Sequence, residues 1–237
     1  MNIVIVGAGR AGLSFATALR DVHQVSVLHH DELAPVVDAD LVLLCVPDDH
    51  IAATARALRV GRDTVVAHVA GSRGLEVLAG HRRVASLHPL AALSSPEVGA
   101  RRLRGGVYCV EGDALVDEVV ASLGGRLVSV ARQSRTLYHA TAVSAANHLV
   151  ALAAHVEVLA RGCGLSLADF LPLSAQALED VSAVGPLAAL TGPASRGDVE
   201  TLAAHVAAVP PEEREVYQTL SQRARRLAAT GRPTWNA

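Results

Sequence analysis

Three glycines near the start of the chain carry the clearest chemical signal, set as Gly7-Ala8-Gly9-Arg10-Ala11-Gly12. They follow the β-branched run Asn2 to Val6 and open the amphipathic stretch Leu13 to Leu19. Between a strand and a helix this spacing gives a tight turn, close backbone approach to a pyrophosphate and close helix-to-strand packing, with the helix N-terminus facing the anion. A plain tight turn would also use glycines, but strand before and helix after is the setting a dinucleotide needs. Gly7, Gly9, Ala11 and Gly12 are therefore candidate cofactor contacts. Arg10 either covers the phosphates or faces solvent.

The second apolar run, Val25 to Leu28, ends at His29, His30 and Asp31. An acid here would hold the ribose hydroxyls of NAD, and a positive group the 2′-phosphate of NADP. A partly protonated imidazole at His29 or His30 suits the phosphate and Asp31 suits the hydroxyls, so NADP and NAD both stay open, as do histidines without a role. So few residues separate His30 from the next apolar run that the usual helix must be short or missing, which thins the wall around an adenosine.

Three further segments fall where strands of an open α/β sheet meet their ligands: Val46-Pro47-Asp48-Asp49, His68-Val69-Ala70-Gly71-Ser72 and Ser86-Leu87-His88-Pro89. The sheet would bring them to one cleft, with Val46 and Pro47 beside the cofactor. His88 can polarise a carbonyl or accept an alcohol proton, because an imidazole titrates near neutral pH; a backbone-bonded histidine is the alternative. Ser72 either orients a substrate oxygen or caps a helix. Tyr138, His139 and Asn147 interrupt an alanine-rich helical run, and an amide expected to be buried, as at Asn147, needs substrate, cofactor or backbone as partner. Thr191-Gly192-Pro193 and Arg196-Gly197-Asp198 read as a turn with Asp198 capping the next helix, while Arg196 could hold a carboxylate.

Other chemistries find no support. The histidines have no metal-site spacing and no HExxH or cysteine cluster occurs, so no metal is expected. GxSxG is absent, which disfavours hydrolysis through a nucleophile elbow. All 21 basic residues are arginine, which removes any chemistry that needs a lysine amine.

The elements that position these residues follow from periodicity. Strand patterns at Asn2 to Val6, Val25 to Leu28, Leu41 to Val46, Thr64 to Val69, Val84 to Leu87, Val107 to Val110 and Leu127 to Val130 alternate with helical ones at Ile51 to Leu58, Gly74 to Leu78 and Ala114 to Leu123. Alternation of this kind implies a mostly parallel sheet covered on both faces. Beyond Arg132 only helices are expected: Leu137 to Leu159, Leu167 to Val181, Pro186 to Leu190, Asp198 to Val209 and Glu212 to Thr230. The expectation is a Rossmann-like domain over 1–132 and a helical domain over 133–237. The apolar helical part should bury its spare face against a second copy, giving a homodimer.

Composition narrows the partners. In 237 residues, 51% are hydrophobic, the net charge is −2 and aromatics are 3%. That excludes disorder and argues against nucleic acid, which needs basic surface and stacking platforms. No membrane span or signal peptide is expected, and three cysteines without a CxxC, expected to be buried, suit a reducing cytoplasm.

Together the residues resemble the Rossmann-like proteins with a C-terminal domain of unknown function 2520, related to the 6-phosphogluconate dehydrogenase and pyrroline-5-carboxylate reductase superfamily. The resemblance spans nearly the whole chain. It rests on Val46-Pro47-Asp48-Asp49, Ser86-Leu87-His88-Pro89, Val110-Glu111-Gly112-Asp113, Tyr138-His139-Ala140, Asn147 and Leu190-Thr191-Gly192-Pro193 with Arg196-Gly197-Asp198. It implies a dinucleotide domain, a helical dimerisation domain, an active cleft between them and oxidoreductase activity without a defined substrate. His88-Pro89 is also similar to the histidine–proline step of prephenate dehydrogenases, whose histidine contacts the substrate hydroxyl. Related hydroxyacid dehydrogenases carry a catalytic lysine four residues before a helical asparagine, and here that position is Val143.

The reading is an NAD(P)-dependent oxidoreductase, NADP favoured, acting on a small carboxylate-bearing molecule. His88 is its acid/base, Ser72 and Asn147 orient substrate, and Arg196 contacts it. Ketopantoate reduction and a deazaflavin-dependent reductase are compatible cases. The alternative is a non-catalytic Rossmann scaffold that senses a metabolite or supports a partner, and the segment His29 to Asp40 discriminates the two.

Overall fold

A computed structural model of the chain describes residues 1–29 and 39–230. Strands β1 (Asn2–Val6), β2 (Gln24–Leu28), β3 (Leu41–Leu44), β4 (Val65–His68), β5 (Arg83–Pro89), β6 (Val107–Gly112) and β7 (Arg126–Val128) form one sheet in the order β2-β1-β3-β4-β5-β6-β7. Every neighbouring pair is parallel except β5 with β6. The mostly parallel sheet read from the sequence is thus present, and His30 and Asp31 lie outside the described residues.

Alternation along the strands sends side chains to both faces. Ile3, Ile5, Leu41 and Leu43 pack with Phe15 and Leu19 of helix α1 (Arg10–Leu19), with Ala100 and Leu103 of α3 (Pro96–Leu103), and with Val116 and Val120 of α4 (Leu115–Ser122). Val4, Val6, Val42 and Leu44 pack on the other face with Ile51 and Ala55 of α2 (Ile51–Ala57). Both faces being covered, β3 and β4 are buried throughout and read as unbroken apolar runs.

Contacts divide the chain into two compact units, Met1–Ala146 and Asn147–Ala237. Helix α5 (Arg135–Gly162) starts in the first. The second continues with α6 (Leu167–Ala189), α7 (Pro193–Arg196), α8 (Val199–Ala208) and α9 (Arg214–Thr230). The break expected at Gly185-Pro186 is a kink inside α6, where Gly185 has φ 79°. Asp198 caps α8 by accepting from the Thr201 N–H at 3.0 Å.

Two expectations are corrected. Asn147 is exposed, because α5 is only 6% buried over its most apolar window. Cys163 is exposed as well, since it lies just past the end of α5, whereas Cys45 and Cys109 are buried. The stretch Arg132–Gly162 is long and apolar enough to cross a membrane by length and composition. It also carries His155, buried and paired with the Glu213 carboxylate at 2.5 Å, as in the core helix of a folded unit.

Leu43 sits fully buried at the centre of the larger cluster. Leu43→Ala should lower the unfolding free energy by about 2–5 kcal/mol in urea titration, through lost transfer energy and the cavity left behind.

Candidate functional site

In this strand order β1 lies between β2 and β3, so the carboxyl ends of β1 and β3 flank the point where the winding reverses and ligands bind. The glycine turn lies there, and its three glycines do different work. Gly7 has φ 112°, and a Cβ on it would lie 2.6 Å from the Cys45 carbonyl oxygen. A Cβ on Gly12 would lie 1.8 Å from the Gly7 carbonyl oxygen, so this glycine lets α1 pack against the turn. Gly9 differs: its φ of −78° and ψ of −174° suit any residue, and a Cβ there would meet nothing within 4 Å. Neither conformation nor packing accounts for Gly9.

Gly9 is the N-cap of α1, yet it offers no side-chain cap, and the first turn contains no acidic residue. The N–H groups of the first helical turn have no intrahelical partner. The sequence therefore leaves an open, uncapped, partially positive helix end beside Val46 and the exposed Pro47. Arg10 and His29 are exposed as well. These residues fit a dinucleotide pyrophosphate.

The second half of the site stands on β4, β5 and β6. Buried His68, at the end of β4, accepts from the Ala70 N–H through Nδ1 at 3.2 Å, which leaves Nε2–H to donate to the Gly74 carbonyl at 3.2 Å. Burial lowers its pKa, the Gly74 contact opposing. Its role is to shape the loop that carries Gly71 and Ser72. Gly71 lies against His88 so closely that a Cβ would be 2.7 Å from the imidazole Cε1 and Nε2. The Ser72 hydroxyl donates to the Asp48 carboxylate, joining the loop after β4 to the loop after β3. Gly74, and not Ser72, holds the cap position of the following 3-10 turn, Leu75–Leu78. All three loops named from the sequence are thus linked within the first unit.

Register explains what surrounds His88. His88 faces Cys109 and Ser86 faces Glu111 across the antiparallel pair, so all four side chains share one face. Arg135, Tyr138 and His139 on α5 are spaced i, i+3, i+4 and present one helix face. The Arg135 guanidinium, in a side chain only 8% exposed, bonds the Glu111 carboxylate, lies 3.4 Å from Ser86 Oγ and donates to the Arg73 carbonyl at 2.9 Å. One turn on, the Tyr138 hydroxyl sits 2.6 Å from His88 Nδ1 with the rings edge-on, and His139 lies edge-on at 6.3 Å.

Burial pulls the His88 pKa down to about 4, and the charges of His139 and Arg135 push the same way, with Asp48 opposing. His88 is therefore a neutral imidazole near pH 7. Burial raises the Tyr138 pKa, so the phenol keeps its proton.

The sequence reading missed Tyr138 as a partner of His88, Arg135 as its anchor and Gly71 as the gap it fills. The strand–helix spacings held the signal, but only pairing β5 with β6 reveals it. Asn147 and Arg196 are exposed residues of the second unit, and the cluster around His88 is made from the first alone. The second unit holds a cleft of about 510 Å³ lined by Ala194, Gly197, Gln222, Arg225 and Arg226, without a carboxylate, imidazole or thiol.

Comparison with known proteins supports the fold. Residues 107–224 match the family model Domain of unknown function (DUF2520). No curated protein matches the sequence. Among solved structures, a candidate NADP oxidoreductase, BF3122, from Bacteroides fragilis is 21% identical with TM-score 0.77, covering 94% of this chain and 97% of that one. Protein TM1727 from Thermotoga maritima is 22% identical with TM-score 0.74, covering 96% and 98%. A reductive aminase from Aspergillus terreus, in complex with NADPH and ethyl levulinate, is 20% identical with TM-score 0.68, covering 98% and 94%. At these identities the likeness is one of fold.

Two outcomes follow from the buried cluster. Arg135→Ala strands Glu111 and should cost about 3–5 kcal/mol in chemical denaturation, with Arg135→Met plus Glu111→Gln costing less than the single change. His88 and His68 stay neutral in the fold but take up protons near 6.5 when unfolded, so the unfolded chain binds more protons below that value. Stability should fall as pH drops from 6.5 toward 4, and His88→Gln should flatten that slope; a slope unchanged in the variant would contradict the assignment.

Proposed function

We propose that this Rossmann-like chain, with its DUF2520 domain, is an NADP(H)-dependent oxidoreductase acting on a small substrate. The observation that carries the reading is Gly9, a glycine that the fold does not need, at an uncapped helix end on the sheet's switch point. Fold relatives named for NADP or bound to NADPH supply the preference for NADP(H). Gly7, Gly9, Arg10, Ala11 and Gly12 would hold the pyrophosphate, His29 the adenosine end, and Val46 and Pro47 the side facing His88. His30 lies outside the described residues.

When bound, the dihydronicotinamide would supply a hydride, and a C=O or C=N group taking that hydride and one proton from solvent would become CH–OH or CH–NH. The residues of the chain polarise and orient the acceptor. His88 faces the reacting heteroatom as a neutral imidazole, and Ser72, held by Asp48, orients the substrate. From the sequence motifs alone, Arg196 of the second unit is proposed to contact a carboxylate and Asn147 to offer an amide to a polar group. Exposed leucines and valines on α5 and α6, among them Val150 at 72% and Leu173 at 63%, support a homodimer formed by those helices. Unpaired cysteines support a cytoplasmic setting.

Calorimetric titration should give micromolar binding of NADPH and weaker binding of NADH. Gly9→Ala should keep the melting temperature and weaken NADPH at least about tenfold, or ~1.4 kcal/mol. Gly12→Ala should instead destabilise the fold by about 1–3 kcal/mol or more, through overlap with the Gly7 carbonyl. Once a substrate is found, His88→Ala should abolish turnover and leave NADPH binding intact. No binding of either nucleotide by folded protein would overturn the reading.

A further inference from the structure

The bond between Tyr138 and His88 has a direction. A phenol O–H is more acidic than the N–H of a neutral imidazole, and an imidazole nitrogen is the better acceptor, so the favoured polarity is O–H to N. Cys109 sits opposite His88 in the strand register, and its sulfur acts with burial to hold the proton on the Tyr138 phenol. His88 Nε2 has no protein partner among the described residues and lies against Gly71, where even a methyl group would collide.

We propose that Tyr138 is a positioning residue: its hydroxyl donates to His88 Nδ1 and so fixes the imidazole as the tautomer whose Nε2–H points at the reacting group. Substrate then meets a hydrogen-bond donor. A neutral donor stabilises the lone pair of a carbonyl oxygen or imine nitrogen as negative charge builds there, and it cannot accept a proton from an alcohol at that same nitrogen. In this tautomer His88 meets a C=O or C=N acceptor as a hydrogen-bond donor, while the net direction of reaction is set by the reactants. This deepens the oxidoreductase reading, on which the identity of the reacting group rests, while the tautomer itself does not depend on any substrate.

Charged and titratable groups near His88 are His68 from β4, Asp48 from the loop after β3, Cys109 from β6, and Arg135, Tyr138 and His139 from α5. Burial and the positive neighbours keep His88 neutral, and burial keeps Tyr138 protonated. Loss of the phenol donor should therefore let the second tautomer appear and raise the titration midpoint of His88.

The test is ¹⁵N NMR of the histidine side chains in the full chain at pH 7, with His88 assigned by the signal lost in His88→Gln. The expected spectrum shows a bare Nδ1 and a protonated Nε2, and Tyr138→Phe converts it to a mixture with an upward-shifted midpoint. A protonated Nδ1 in the unaltered protein would overturn the proposal. So would a spectrum that Tyr138→Phe leaves unchanged. NADPH titration of the same samples separates the two readings: absent binding with the expected tautomer removes the cofactor assignment and upholds the role of Tyr138.

Discussion

The buried guanidinium of Arg135 is the joint on which the geometry around His88 depends. It reaches Glu111 on β6, Ser86 on β5 and the Arg73 carbonyl in the loop after β4, so one side chain ties three parts of the sheet's ligand edge to the start of α5. A planar fork with five donors can satisfy such divergent acceptors, where a lysine ammonium would serve as a point charge. The absence of lysine from the chain therefore removes one mechanism without weakening this joint. With the start of α5 fixed, Tyr138 falls one helical turn further on, over the next same-face pair, His88 and Cys109. Helix spacing of three and strand spacing of two meet at these two layers.

The glycines show how fold and site share one turn. Gly7 and Gly12 are demanded by contacts with Cys45 and with each other, and would be needed whether or not anything bound. At Gly9 a side chain would enter open space at the helix end, and at Gly71 it would collide with the His88 imidazole. A spacing motif treats such glycines alike, and only what a Cβ would touch separates support from access. The same distinction applies to histidines, since His68 spends both nitrogens on its own loop whereas His88 leaves Nε2 uncommitted.

Much of the first unit was legible in the sequence because its signals are local. Unbroken apolar strands, the strand-glycine-helix order and the loops ending in Asp48, Ser72 and His88 follow from residues a few positions apart. Helix α3 went unread although Ser95 accepts from the Val98 N–H and Pro96 opens the helix, a recognisable start signal over a segment too short to show periodicity. The pairing of Tyr138 with His88 and of Arg135 with Glu111 went unread for a different reason. Their partners lie 50 and 24 residues away, and the antiparallel turn of β6 that brings them together leaves no local mark.

Asn147 exposes the limit of composition arguments in the second unit. An amide within an apolar helix suggests burial, yet α5 and α6 keep most of their surface exposed, and α6 buries no residue at all within this chain. A 23-residue helix with two prolines inside, Pro172 and Pro186, and an exposed leucine-rich surface gains little of its stability from propensity, since most helical stability in proteins comes from tertiary packing. Leu171, Leu173, Val184 and Leu187 are accordingly left exposed on α6. An apolar residue in the sequence does not by itself say whether the fold of its own unit will bury it. The chemistry assigned to His88 rests on the unit where that ambiguity is absent, because its strands are buried by helices of their own sequence neighbourhood.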